Sequence, residues 1–479
     1  MTTKTLFEKS HAGRLGTMPP QSDCPPIKEA EFIPSSMLRQ DDLELPELSE
    51  LDVMRHFVGL SQKNYSVDTQ FYPLGSCTMK YNPRVNETVA ALPGFTDIHP
   101  LTDFEHAQGA LQLMYELQES LAEITGMDGV TLQPSAGAHG EVTALFTIAA
   151  YFRSLGQERN IIIVPDSSHG TNPASAALAG FEVVTIPSAA DGSVDIEALK
   201  AHMSPKVAAL MLTNPSTLGL FEAHIEEICR ILHEAGALVY YDGANMNALM
   251  GIARPGDMGF DMVHLNLHKT FSTPHGGGGP GCGPVGAKGK LVAFLPGPIA
   301  VKTENGFALE KAEKTIGRVR MFWGNFLVLV KAYAYIRSLG AEGLRQASRL
   351  AVLAANYMRV RLKGAYKLPF DRICMHEFVL SASELKKAKG LHALDIAKAL
   401  LDRGFHAPTI YFPLIVEEAL MIEPTETESK EVMDEFIEAM LDIAAHESGE
   451  SLHDVPKNLP VTRLDETKAA RKPILQQPK

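Results

Sequence analysis

The stretch DMVHLNLHKTFSTPHGGGGPGCGPVG, residues 261–286, decides how the rest of the chain is read. An apolar run closes on His268-Lys269, and a loop with almost no side chains follows, including the consecutive glycines Gly276–Gly279. A lysine at the end of a buried strand has a partly desolvated ammonium, which favours the free amine that forms Schiff bases. A strand-end lysine that merely reaches for solvent is the commoner case. The glycines shift the balance, because main chain without side chains can approach a bulky ligand closely.

Working outward, the runs NIIIVP (160–165), FEVVTIP (181–187), VAALMLTNP (207–215), ALVYYDGA (237–244), DMVHLNLHK (261–269) and KLVAFLPG (290–297) read as strands. Amphipathic helices lie among them. EAHIEEICRILHEAG turns Ile225, Ile228, Cys229 and Leu232 inward and stops at Gly236. EHAQGALQLMYELQESLAEITG puts Ala110, Met114, Leu117, Leu121 and Ile124 on one face and stops at Gly126; SAGAHGEVTALFTIAAYFRSLG forms another helix ending at Gly156. Continuous apolar strands alternating with such helices predict an α/β fold, a mostly parallel sheet covered by helices on both faces.

The flanks differ in character. Residues 1–64 are Pro-rich and read as an N-terminal arm with one short helix, about Ser49 to Leu60. The arm has too little apolar periodicity to bury itself, so it is expected to lie against a partner subunit, with YPLGSCTMK (72–80) near a ligand pocket. The large domain is expected over 65–325. After VRMFWGNF (319–326), Ala/Leu-rich helices lead into a smaller α+β C-terminal domain, 326–450, and a polar tail, 451–479.

The net charge of -13 offers no basic stripe to offset phosphate repulsion, so neither nucleic acid nor an anionic membrane is an expected partner. Cys24, Cys77, Cys229, Cys282 and Cys374 are scattered and form no Cys-x-x-Cys, which fits a reducing compartment. The opening MTTKTLFEKS has no apolar core of a signal peptide, and no apolar run is long enough to span a bilayer. A cytoplasmic location is expected.

Ligands of a parallel α/β sheet bind beyond the carboxyl ends of its strands. Those ends deliver His169 in DSSHGTN, Thr213 in TNPST, Asp242 and Ala244 in DGAN, and Asn266, His268 and Lys269. A carboxylate at the end of the buried ALVYY run is costly unless it meets a cation. Opposite a Schiff-base lysine, Asp242 would pair with the pyridinium nitrogen of pyridoxal 5'-phosphate and preserve its electron-sink power. The blander reading is an Asp that caps its own DGAN turn. Ser135, Ala136, Gly137 and Ala138 precede a helix, where small residues leave N–H groups and the helix dipole free for a phosphate. His169 would stack on a flat ring or act as acid or base. The GCGPVG of residues 281–286 matches a dinucleotide fingerprint only formally, since a glycine loop precedes it and a strand-like run follows. His264, His268 and His275 lack carboxylates at metal-ligand spacing, so no metal is expected.

In combination, FYPLGSCTMKYNPR, QPSAGAHGE, DSSHGTNPASA, TNPSTLGLFE, YYDGANMNAL, the opening stretch, RMFWGNF and GFHAPTIYFP with LMIEPTETESK make the chain resemble one family over about residues 65–430. These are the lysine-bearing subunits of split bacterial glycine dehydrogenases (decarboxylating), the P-proteins of the glycine cleavage system. The resemblance implies a fold-type I pyridoxal phosphate enzyme with the cofactor covalent at Lys269, and Lys269, His169 and Asp242 as catalytic residues. Cofactor contacts are implied at Ser135, Ala136, Gly137, Ala138, His169, Thr213, Asp242, Ala244, Asn266, His268 and Lys269. It implies decarboxylation of glycine through an aldimine and transfer of the aminomethyl group to the lipoyl arm of H-protein. It also implies a homologous lysine-lacking subunit as partner, two of each. The competing readings are another fold-type I enzyme, an amino-acid decarboxylase or cysteine desulfurase, and a non-catalytic paired subunit, against which Lys269 itself counts.

Overall fold

The computed structural model describes residues 4–18, 20–41, 43–276 and 281–475. Of the glycine run, Gly276 is described and Gly277–Gly279 lie outside the described residues. The chain divides into two compact units, residues 67–455 and residues 1–66 with 456–479.

The unit of 67–455 is built on a sheet of seven strands: β1 Gly129–Thr131, β2 Ile161–Pro165, β3 Glu182–Ile186, β4 Val207–Thr213, β5 Leu238–Gly243, β6 Met262–Leu265 and β7 Val285–Ala287. Their order is β1-β7-β6-β5-β4-β2-β3. β3, β2, β4, β5 and β6 are parallel neighbours, and β7 runs antiparallel to both β6 and β1. Each residue of β4 is buried, which is why the run is apolar without alternation. Successive side chains still point to opposite faces. Leu210, Leu212, Val239, Tyr241, Val263 and Leu265 join a core with Met114, Leu117 and Leu121 of helix Gln108–Thr125 and with Ile228 and Leu232 of helix Ile225–Glu234. Ala209, Met211, Tyr240 and Met262 join the opposite core with Leu145, Ile148 and Phe152 of helix Gly137–Ser154. Leu117 is fully buried, so its truncation to Ala would cost about 2–5 kcal/mol.

Several segments depart from the sequence reading. KLVAFLPG is not a strand: Gly289–Phe294 forms a 3₁₀ helix, burying Leu291 and Phe294 at a spacing of one turn. A short apolar run does not by itself distinguish the two periods. β1 and β7, of three residues each, and the hairpin of β8 Ile299–Thr303 and β9 Gly306–Glu310 carry too short a pattern to stand out. DMVHLNLHK leaves the strand at Leu265, and Asn266–Lys269 turn over a bond from Lys269 N–H to the Asn266 carbonyl at 3.1 Å.

The helical run Phe326–Leu362 is broken at Gly340, where φ is 62° and ψ -176°. Beyond it, β10 Phe378–Ser381, β11 Thr409–Ile410 and β12 Ala419–Ile422 form an antiparallel sheet in the order β10-β12-β11. Helices Ala393–Asp402 and Lys430–Ala445 pack on a core that includes Phe378, Leu400, Phe436 and Ile437. Leu74 bridges to Ile422 of β12, fixing the segment that leads to Ser76.

In the other unit, helix Glu50–Ser61 begins with a reciprocal capping box between Ser49 and Asp52. Asp465 caps helix Glu466–Arg471. Among the described residues, no member of 1–66 belongs to a hydrophobic core cluster.

Candidate active site

β2 stands between β3 and β4, so the winding direction reverses there and the loops leaving β2 and β4 part to opposite sides. Such switch points hold the ligands of open α/β sheets. A cavity of ≈ 160 Å³ lies at this place. It is lined by His169 after β2, Thr213 and Thr217 at β4, Asp242, Ala244 and Asn245 at β5, and Asn266, His268 and Lys269 after β6. Gly137, Ala138 and Glu141 line it from the first helical turns, and Ser76 from a distant segment.

Asp242 is 2% exposed. Its Oδ2 accepts from Asn172 Nδ2 at 2.9 Å and Thr213 Oγ1 at 3.3 Å, and its Oδ1 accepts from the Ala244 N–H at 3.0 Å. Burial acts to raise its pKa. The nearby His264, the Asn172 and Ala244 donors and the Lys269 ammonium outweigh that and hold it below the usual carboxylate range. The turn-capping role of Asp242 is thus real, and it coexists with an ionised oxygen pair at the cavity floor. His264 Nε2 lies 3.5 Å from Asp242, and its other ring nitrogen meets the Tyr240 hydroxyl at 2.5 Å.

Lys269 Nζ donates to the Ser76 carbonyl at 2.8 Å. It forms no ion pair among the described residues. Ser76 has a left-handed backbone, φ 64°. The neighbouring Cys77 Sγ is 3.3 Å from His275 Nε2. Burial pushes the Cys77 thiol up despite the opposing pull of Lys269, so it is a protonated packing group at neutral pH.

His169 Nδ1 accepts from the Thr171 N–H at 3.2 Å, and Thr171 Oγ1 donates to Glu141 Oε1 at 2.8 Å. Burial, then the Lys269 charge, lowers the His169 pKa and keeps the ring neutral. His268 falls to about 3, chiefly through burial, and its Nδ1 accepts from the Cys282 N–H at 3.3 Å.

Helix Gly137–Ser154 opens without a side-chain cap, so its first N–H groups face the cavity unclaimed by a side chain. A Cβ on Gly137 would collide with Asn266 Oδ1, so a larger residue there would push the Asn266 side chain aside. Ser135 and Ala136 are not brought to the cavity wall. Ser135 meets His139 Nδ1 through its N–H and its Oγ, each at 3.2 Å, and the Ala136 carbonyl packs against Gly283. Among the described residues, Asn266 Oδ1, Asn172 Oδ1 and His264 Nε2 are buried without a hydrogen-bond partner, and Asn266 lines the cavity, where a polar ligand would satisfy it.

Residue types alone did not reveal Ser76, Glu141, Thr171, Thr217 or Asn245. All five lie inside motifs already singled out, Ser76 in YPLGSCTMK, which was expected near a pocket; its pairing with Lys269, 193 residues away, comes only through the fold. Among the described residues, His264, His268 and His275 gather with no carboxylates as a metal cluster; the group with that geometry is His376, Glu377 and Glu423.

Residues 137–278 match the aminotransferase class-V family, and residues 347–458 match the glycine dehydrogenase C-terminal domain family. The chain is similar in fold to a glycine decarboxylase (P-protein) of the glycine cleavage system, crystallised in inhibitor-bound form. The TM-score is 0.73 at 22% identity, covering 86% of this chain and 94% of the other. A cysteine desulfurase from Thermococcus onnurineus NA1 shares the fold at a TM-score of 0.60 and 14% identity, covering 78% of this chain and 94% of that one. A relative from Caldanaerobacter subterraneus subsp. tengcongensis, described as probable glycine dehydrogenase (decarboxylating) subunit 2, is 58% identical over 98% of both chains. One of the same description from Bacillus cytotoxicus is 59% identical over 98% of this chain and 96% of its own length. Near-identity of length and this degree of identity mean that the chain belongs to the glycine dehydrogenase (decarboxylating) subunit 2 family.

Proposed function

We propose that the chain is the catalytic half of a two-subunit glycine decarboxylase, and that its cavity holds pyridoxal 5'-phosphate attached at Lys269. The observation that carries the reading is one cavity containing a buried, ionised Asp242 and a lysine that, among the described residues, hydrogen-bonds only a main-chain carbonyl. When bound, the cofactor supplies a protonated ring that draws off the electron pair left on the α-carbon as carbon dioxide departs.

The chain's own residues divide the remaining work. Asp242 would keep the ring nitrogen protonated. The N–H groups of Gly137 and Ala138 and the helix dipole would hold the phosphate, with Ser135 and Ala136 shaping the entry to that turn. His169, neutral and fixed by Thr171, would cover the ring face. Thr213 and Ala244 hold Asp242 in place, and Asn266 and His268 would complete the wall. When not joined to the cofactor, Lys269 Nζ would rest on the Ser76 carbonyl.

The aminomethyl product is assigned to the lipoyl arm of H-protein, and the assembly to two copies each of this chain and a homologous lysine-lacking subunit. Support comes from the subunit 2 description of the relatives and from an arm that, among the described residues, joins no hydrophobic core cluster. Residues 65–325 would act as the cofactor-binding domain and 326–450 as the smaller domain. A cytoplasmic location fits five unpaired cysteines and the absence, among the described residues, of a helix long and apolar enough to cross a membrane.

The test is exchange of labelled carbon dioxide into glycine by the chain co-expressed with its lysine-lacking partner. Exchange should require both the partner and lipoylated H-protein. Equal exchange without H-protein would move the chain to another fold-type I activity.

A further inference from the structure

Behind Ser76 lies a group that the proposed chemistry does not use. His376, Glu377 and Glu423 are 0%, 0% and 1% exposed, and their ligand atoms lie within 4.8 Å of one another. Both Glu377 oxygens accept hydrogen bonds: Oε2 from the Ser76 N–H at 2.6 Å and Oε1 from Asn245 Nδ2 at 3.3 Å. Glu423 Oε1 accepts from Thr78 Oγ1 at 2.5 Å, while among the described residues its Oε2 has no hydrogen-bond partner. Neither ring nitrogen of His376 has one either, and its Nε2 is 3.9 Å from Glu377. The charged or titratable groups facing the pair are Lys269, His376, Cys77 and Glu426, the last already paired with Lys80 at 2.8 Å.

Two buried carboxylates this close cannot both ionise without a cation in contact. We propose that at mildly alkaline pH the pair holds one proton, carried by Glu423, and that Glu377 and Glu423 are positioning residues for the Gly75–Thr78 segment against which Lys269 rests. Glu377 is the better anion because two donors serve it. Burial, first, and the neighbouring Glu377 push Glu423 well above the carboxylate range, while Glu377 rises to about 7, mainly through burial. His376 does not take the proton, since burial and Lys269 lower it to about 3. Above about pH 7 the singly protonated pair therefore presents one negative charge, rather than two, beside the amine that meets the substrate. That last role rests on the assignment of Lys269 as the cofactor's attachment point; the location of the proton does not.

Infrared difference spectra of the full-length chain, in H₂O and D₂O near pH 8.5, where Glu377 and Glu428, both raised to about 7, are ionised, test the proton directly. A carboxylic-acid carbonyl band should be present in the parent, retained in Glu377→Gln and lost in Glu423→Gln. Thermal melts confirm that both variants fold. No band in the parent, or a band that survives Glu423→Gln, overturns the proposal. So does a stoichiometric divalent metal in the purified chain that is lost in His376→Ala. A second arm titrates the visible absorbance of the cofactor-loaded chain. Glu377→Gln removes a charge and should move the midpoint to lower pH, whereas Glu423→Gln exchanges neutral for neutral and should move it less. Equal movement would reduce both residues to structural supports. A chain with no visible band would instead count against the Lys269 assignment and leave the infrared result decisive for the proton.

Discussion

Asp242 and Glu423 are both carboxyl groups with almost no exposure, 2% and 1%, yet they stand in opposite charge states. Asp242 accepts three hydrogen bonds and has His264 beside it, and it is held below the usual range. Glu423 accepts one and has Glu377 beside it, and it is pushed well above. Burial acts in the same direction on both, so burial does not decide the outcome. The count of donors and the sign of the nearest charge decide it. One chain thus keeps an anion and a neutral acid on two sides of the same lysine.

Removing that lysine should have the largest effect. Lys269→Ala should lower glycine-dependent exchange by at least about 10⁴-fold, the scale expected when a covalent catalytic group is lost. Borohydride reduction followed by peptide mapping should find the cofactor on Lys269 in the parent and no adduct in the variant. An adduct on another lysine would break the comparison at its centre.

Asp242→Asn keeps the shape and removes the charge. Exchange should fall about 10²–10³-fold with the cofactor still bound, as for other losses of a preorganised electrostatic partner. Unchanged turnover would leave Asp242 as a turn cap only.

Stability against pH separates the two environments in sign. Glu377 moves from 4.5 to about 7 on folding, so the folded state binds the extra proton between those values. Its contribution is lost as pH rises from about 4.5 through about 7, roughly 3 kcal/mol if the whole shift is realised. Asp242 runs the other way: its contribution is present above 3.8 and lost as pH falls. Urea melts at pH 5 and 8 should therefore show a smaller decline in Glu377→Gln than in the parent. An identical decline would remove the pair from the account.

The smallest expected effect sharpens the argument about donors. Asn172→Ala takes one of the three hydrogen bonds from Asp242 and should cost about tenfold in exchange, near 1.4 kcal/mol. The acidic limb of the pH profile should move upward as Asp242 becomes easier to protonate.

The same contrast marks what residue types reveal. β2 to β6 are legible because each is an apolar run between helix patterns, and the residues at their ends gather as neighbours by the geometry of a parallel sheet. Thr213, Asp242, Ala244 and Lys269 belong to this class. The short β7 is not legible, because Val285–Ala287 takes its place from pairing with β6 and β1 rather than from its own pattern. Glu377 and Glu423 look like the ordinary starts and ends of C-terminal strands. Their partners Ser76 and Thr78 lie 301 and 345 residues away, so only the folded chain discloses them.

Ser76 meets Lys269 and Glu377 through main-chain atoms alone, with its backbone at φ 64°. These two contacts therefore depend on a torsion rather than on the hydroxyl. Over evolutionary time the position should drift freely among Gly, Asn, Asp and Ser, which tolerate the left-handed region, and exclude Val, Ile and Thr, whose branched Cβ does not. A library of substitutions at residue 76 would sort by backbone preference, with hydroxyl chemistry irrelevant to survival.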